Sequence, residues 1–106
     1  MDLKIVVRGV GNGTALRAYA EQRVETALRR YATDIRSATV RLVDETGPRK
    51  QKDDKVCSIE LKLRGGPVRI SEVSDDFKAS IALALDRVRA SLSRQLSKRK
   101  RGVGEG

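Results

Sequence analysis

The 106-residue sequence contains no histidine and no tryptophan, one cysteine, two prolines and only three aromatic residues, Tyr19, Tyr31 and Phe77. Without histidine, the usual general base near neutral pH is missing. Cys57 therefore has no imidazole to activate it as a nucleophile, and alone it makes no CxxC metal pair. A single cysteine also excludes an intrachain disulfide and fits a reducing compartment. The apolar alternation around it makes it a small core residue. Three aromatics are too few for a platform on which bases stack. No apolar run is long enough to span a membrane, and the opening MDLKIVVRG carries no signal-peptide pattern, so a cytoplasmic protein without a membrane partner is expected. The glycines of GVGNG precede no Gly-Lys-Ser/Thr and lack G-x-G-x-x-G spacing, which excludes the common phosphate loops and leaves a turn. The acid pairs Asp53-Asp54 and Asp75-Asp76 read as solvated or helix-capping groups, not as a cation site. The expectation is a protein that is not an enzyme and has no cofactor, no metal and no small-molecule substrate.

What the chain has in excess is positive charge. The formal net charge is +9, from 23 basic and 14 acidic residues. Seven of the basic residues fall within 87–101, a stretch with no acid, so the remaining 16 basic and 14 acidic residues net to only +2. Localised positive charge points to a polyanion, because phosphates neutralised by Lys and Arg release their condensed counterions.

The length suits one two-layer domain. LKIVVR, residues 3–8, reads as a strand with Leu3, Ile5 and Val7 on one face. Thr14 is the expected N-cap of a helix reaching Tyr31, with Leu16, Ala20, Val24, Ala27, Leu28 and Tyr31 as its core stripe. Tyr19, Arg23, Thr26 and Arg30 lie along one flank of that stripe. Residues 38–45 alternate as a strand, with Val40 and Leu42 inward, and TGPRKQKDD is a polar loop. Residues 55–64 alternate Cys57, Ile59, Leu61 and Leu63 against polar neighbours, and GGP turns the chain into a strand over 68–73. One apolar and one polar face suit an antiparallel sheet covered on one side. A last helix starts at Ser74 or Asp75 as cap and buries Phe77, Ile81, Ala84, Leu85, Val88, Leu92 and Leu96. Arg87, Arg94, Lys98 and Arg101 fall in one row along a flank of it, at spacings of seven, four and three. The expected fold is α+β, a β-α-β-β-β-α two-layer sandwich with both helices on one face of a four-stranded sheet. Residues 1–101 form the single domain, and 102–106 a disordered end.

GTALRAYAEQRVETALRRY and GGPVRISEVSDDFKASIALALDRV, with the element order, resemble the ribosome hibernation promoting factor family, also called protein Y or ribosome-associated inhibitor A. The likeness runs over about residues 2–100. It implies a fold similar to double-stranded RNA-binding domains. It also implies a cytoplasmic translation inhibitor that occupies the messenger and transfer RNA channel of the small ribosomal subunit when growth slows. The family's helices turn basic residues toward ribosomal RNA. Arg23 and Arg30 match such positions in the first helix, and Arg87 and Arg94 in the second. Lys78 stands where the family usually has a tyrosine. Arg89 stands one residue before an expected arginine, at Ala90, a rotation of about 100° on a helix.

The candidate RNA-binding residues are therefore Arg23, Arg30, Arg87, Arg89, Arg94, Lys98 and Arg101, and the partner is the ribosomal RNA of the small subunit. Two other functions compete: a generic double-stranded RNA- or DNA-binding module, and a protein-interaction module whose basic helix docks on an acidic partner. Basic residues on both helices favour RNA over a single protein contact.

Overall fold

The computed structural model describes residues 1–45 and 54–105, without the side chains of 98–105. The elements follow in the order β1 (Asp2–Arg8), α1 (Gly13–Leu28), a 3₁₀ turn (Arg29–Tyr31), β2 (Ile35–Asp44), β3 (Lys55–Leu63), β4 (Gly66–Ser74) and α2 (Phe77–Glu105). The four strands form one sheet in the order β1-β2-β3-β4, with β1 parallel to β2 and the other two pairings antiparallel. This is the expected α+β sandwich, but the sheet is mixed, not antiparallel. The reason is α1, which crosses the face of the sheet between β1 and β2 and delivers β2 in the same direction as β1. The polar loop expected over 46–53 lies outside the described residues.

Both helices pack on one face, α1 mainly over β1 and α2 over β3 and β4. The core forms between the layers, from Ala20, Val24 and Leu28 of α1, from Val40, Leu42, Cys57, Ile59 and Leu61 of the sheet, and from Ile81, Ala84, Val88 and Leu92 of α2. Leu3, Ile5 and Val7 of the edge strand are half-buried against it. Ser80 is fully buried, and its hydroxyl donates to the Phe77 carbonyl at 3.2 Å. Among the described residues no buried side-chain polar atom lacks a partner.

Several boundaries are set by chemistry that periodicity does not report. The cap of α1 is Asn12, whose side-chain oxygen accepts from the Ala15 amide at 3.4 Å, so the helix starts one residue before the expected cap Thr14. The cap of α2 is Asp76, accepting from the Ala79 amide at 2.8 Å, instead of Ser74 or Asp75. Ser74 still belongs to β4. β2 begins three residues earlier than the alternation predicts because its register with β3 shifts between Ile35 and Ser37. Such a bulge inserts one extra residue, here Arg36, and so turns Ile35 into the core beside Ala38, three positions away. Gly9 closes β1 with φ +74°, and a Cβ there would meet the Asp44 carbonyl oxygen at 2.9 Å. Only glycine meets both conditions.

At the other end of β2 and β3, the Lys55 ammonium bridges Asp54 at 2.6 Å and Asp44 at 3.2 Å. The hydrogen bond with Asp54 raises the Lys55 pKa above its ordinary value, the Asp44 carboxylate adding to it. One member of each acid pair is thus engaged, Asp54 with Lys55 and Asp76 as a cap, while Asp53 lies outside the described residues.

The 29 residues of α2 make a helix about 43 Å long, against about 30 Å for a nine-residue strand. Leu92 is its last fully buried side chain among those described. The C-terminal part of α2 therefore runs on past the sheet. The helix runs to Glu105, into the stretch 102–106 for which a disordered end is expected from the sequence.

Leu61 is wholly buried between β-sheet and helices. Leu61→Ala is expected to cost about 2–5 kcal/mol of stability by chemical denaturation, and a loss of a few tenths would reverse the assignment of the inner face. Burial also pushes the Cys57 thiol up from 9.0 to about 12. Below pH 9 the thiol is protonated in folded and unfolded chains alike. Between pH 9 and about 12 only the unfolded thiol ionises, so this group lowers stability as pH rises, by at most about 1.4 kcal/mol per unit. Cys57→Ala should flatten the alkaline limb of a stability–pH curve, and native Cys57 should resist a water-soluble maleimide that labels the unfolded chain.

Candidate nucleic-acid interface

The flank of α1 carrying Tyr19, Arg23, Thr26 and Arg30 faces α2. At one end of the cleft between the helices, the Lys78 ammonium of α2 sits 5.4 Å from the centre of the Tyr19 ring. Lys78 thus makes a cation–π contact across the helix pair, which also holds its charge at the rim of the cleft. At the other end lies a shallow groove of about 430 Å³ bounded by Thr26, Ala27, Arg29, Arg30, Tyr31 and Arg89. The Arg30 guanidinium lies 5.8 Å from the centre of the Tyr31 ring. Arg89 reaches this groove from α2 while its guanidinium also contacts Asp86 at 3.1 Å. Arg23 lies between the two ends on the same flank and is exposed.

Arg87 and Arg94 are elsewhere. Two residues along a helix is a rotation of about 200°, so Arg89 and Arg87 point to opposite sides of α2. Arg87 donates to the Glu72 carboxylate of β4 at 2.5 Å. The Glu72 side chain is 18% exposed, so the pair is partly shielded from water. Arg94 borders a depression of about 550 Å³ on this side, together with Arg69, Gln95 and the Gly65–Pro67 turn. Lys98 and Arg101 continue along α2, and their side chains are outside the described residues.

The five candidate residues whose side chains are described therefore divide between two surfaces. Arg23, Arg30 and Arg89 share the cleft between the helices. Arg87 and Arg94 share the flank of α2 that overlooks β4. Sequence reasoning missed two cleft residues, Arg29 and Lys78. Helical spacing places Arg29 on the outer crest of α1, but the chain tightens into the 3₁₀ turn at that residue, where each residue advances about 120°. Lys78 could have been found from Tyr19, since a lone exposed lysine opposite an aromatic flank is the pattern a cation–π pair leaves in a sequence.

The arrangement suits phosphate more than bases. Guanidinium groups contact phosphate oxygens in a bidentate way and cannot lose their charge at physiological pH. The two tyrosine rings are engaged by Lys78 and Arg30. Contacts of this kind position a protein on a nucleic acid without reading its sequence. No described helix is long and apolar enough to cross a membrane.

Residues 3–101 match the family described as sigma 54 modulation protein / S30EA ribosomal protein. Among solved structures, a ribosomal subunit interface protein from Coxiella burnetii is similar to this chain with a TM-score of 0.71 and 20% identity, covering 92% of this chain and 99% of its own. The N-terminal domain of Protein Y from Thermus thermophilus is similar with a TM-score of 0.67 and 28% identity, covering 89% and 98% respectively. Against curated protein sequences the chain has no significant match.

The Arg87–Glu72 pair is expected to contribute little to stability, because the Arg87 side chain is 65% exposed. A double-mutant cycle with Arg87→Gln and Glu72→Gln should give a coupling of about 0.2–1 kcal/mol that shrinks in added salt. A salt-insensitive coupling of several kcal/mol would make Arg87 a structural residue, not a candidate contact.

Proposed function

The chain belongs to the sigma 54 modulation protein / S30EA ribosomal protein family, and from that premise we propose that it is a ribosome hibernation factor that inhibits translation by occupying the messenger and transfer RNA channel of the small subunit. It acts by occupancy, without catalysis, in the cytoplasm where ribosomes work. Residues 1–101 are the binding unit. The observation that carries this reading is the convergence of Arg29 and Arg30 of the 3₁₀ turn with Arg89 of α2 on one groove. Three guanidinium groups around a shallow concavity form a seat for phosphodiester oxygens. Two further features support it: Lys78 adds a charge at the far end of the cleft, on whose flank Arg23 is exposed, and Arg94 adds a cation on the flank of α2 that overlooks β4, with Lys98 and Arg101 following it in the sequence at spacings of four and three. The names of the two similar structures, a ribosomal subunit interface protein and Protein Y, agree with a ribosomal partner.

The mechanism follows from the charge. Diffusing toward a folded RNA, the domain is steered by its basic cleft and releases counterions as it seats. A rigid sandwich held there excludes messenger RNA and the anticodon ends of transfer RNAs sterically. Leaving the channel requires only that the phosphate contacts be lost, so the inhibition is reversible.

Sedimentation with purified ribosomes, separated subunits and free duplex RNA tests the reading. Wild-type protein should travel with small subunits and inhibit cell-free translation, and its affinity should fall steeply between low and moderate salt. Arg30→Glu with Arg89→Glu should weaken binding on the order of tenfold per charge without loss of helical circular dichroism. Arg87→Glu, Arg94→Glu and Lys98→Glu together should also weaken it. Glu21→Lys with Glu25→Lys, on the outer face of α1, should not. Equal affinity for free duplex RNA and for small subunits would favour the generic RNA-binding module instead, and binding indifferent to salt would favour a packed protein contact.

A further inference from the structure

The face of the sheet that no helix covers carries a second charged groove, on the opposite side of the domain from the cleft. Its floor is built by two cross-strand rungs. Lys4 of β1 pairs with Thr39 of β2, Thr39 with Glu60 of β3, and Glu60 with Arg69 of β4. In the next rung Arg41 of β2 pairs with Ser58 of β3, and Ser58 with Ser71 of β4. These side chains surround an open concavity of about 500 Å³.

The acid in this groove is already matched. Glu60 accepts from Arg69 at 2.6 Å, and that hydrogen bond holds its carboxyl below the usual range, the nearby charges of Lys62 and Arg41 adding to the effect. Lys4 and Arg41 make no ion pair among the described residues, and both are exposed. Between them the concavity keeps two uncompensated positive charges on adjacent strands. Lys4, opposite Thr39, and Arg41, opposite Val6, are diagonal neighbours on one face, so an anion between them would be attracted by both charges. Ser58 and Ser71 share a hydrogen bond of 3.0 Å, and either hydroxyl can turn to donate to an oxyanion. The groove has no aromatic residue, so it offers charge and hydroxyl donors but no stacking surface.

We propose that this open sheet face is a second RNA-backbone site, in which Lys4, Arg41 and Arg69 take phosphates of an RNA segment different from the one bound by the helices. The proposal rests on the ribosomal reading above for the identity of the polyanion. That two segments are involved follows from geometry. The two basic surfaces point away from each other across a sandwich whose smallest Cα extent is 17 Å, so one straight RNA segment cannot lie on both. The protein is a wedge between two RNA walls. Its hold on either wall strengthens its hold on the other, because the second contact is made at the effective concentration set by the first.

Two measurements test this on the full chain. Lys4→Gln with Arg41→Gln should weaken small-subunit binding about tenfold or more and reduce the slope of log affinity against log salt by about one to two, with the thermal melt unchanged. Directed hydroxyl-radical cleavage gives the second readout. An iron chelate on Val73→Cys at the open face should cut ribosomal RNA at positions distinct from those cut by one on Ala90→Cys on the helix layer, the buried Cys57 staying unlabelled. Cleavage from Ala90→Cys alone, with wild-type affinity and slope for the glutamine variant, would overturn the second site and leave the helix-borne function standing. Absence of cleavage from both positions, with no co-sedimentation of the parent protein, would overturn the ribosomal reading and the second site together.

Discussion

Burial of Leu42, Ile59 and Leu61 beneath two helices is the constraint on which the other features depend. A sheet with one apolar face must be covered, and a four-stranded sheet is wider than one helix. Two helices side by side cover it, and their adjacency creates the cleft. The side chains that line the cleft are those at the edges of each apolar stripe, and here these are Arg23, Arg30, Lys78 and Arg89. The cleft is thus a by-product of covering the core, furnished with cations. Because the core holds the helices, the cleft is pre-organised, and a ligand seated in it as proposed would cost less conformational entropy.

The charges are deployed differently on the surfaces that are not core. Where an arginine has an acid within reach, the structure pairs it: Arg87 with Glu72, Arg69 with Glu60, Arg89 with Asp86. The arginines of these pairs are exposed, and the pairs contribute modestly to stability. Their greater effect is orientation, since a guanidinium held at one side can still present its remaining N–H groups to a second oxyanion. Arg89 does both, contacting Asp86 while bordering the groove. Net charge alone would not distinguish this surface from a solvated one, but the placement of the acids does. Glu72 and Glu60 sit in the sheet beneath arginines, while the groove between the helices has no acid on its walls.

Most of the fold was legible in the chain itself. The order of elements, the inward residues of β3 and the buried stripes of both helices follow from periodicities of two and 3.6, which are local properties of the backbone. The localisation of charge to the last helix needs no coordinates either. What the periodicities missed are places where an interaction between distant residues sets the local conformation. The bulge at Arg36 exists because β3 offers Leu63 to Ile35. Asn12 and Asp76 cap their helices because the entering chain directs those side chains back onto free amides.

The candidate site divides in the same way. The sequence by itself determined where positive charge is concentrated, with seven arginines and lysines within 87–101 and Arg23 and Arg30 along one flank of α1, but not Arg29 or Lys78 as cleft residues. The tertiary structure alone decided which of them meet. Arg30 and Arg89 are 59 positions apart and share one groove, whereas Arg87 and Arg89, two apart, face opposite ways. The parallel course of β1 and β2, imposed by the α1 crossover, likewise brought Lys4 beside Thr39 and within the same groove as Arg41 and Arg69. The physical reason is that helical and strand periods fix the direction of a side chain relative to its own element. Its neighbours on other elements are fixed by how those elements pack, and packing is a property of the assembled core.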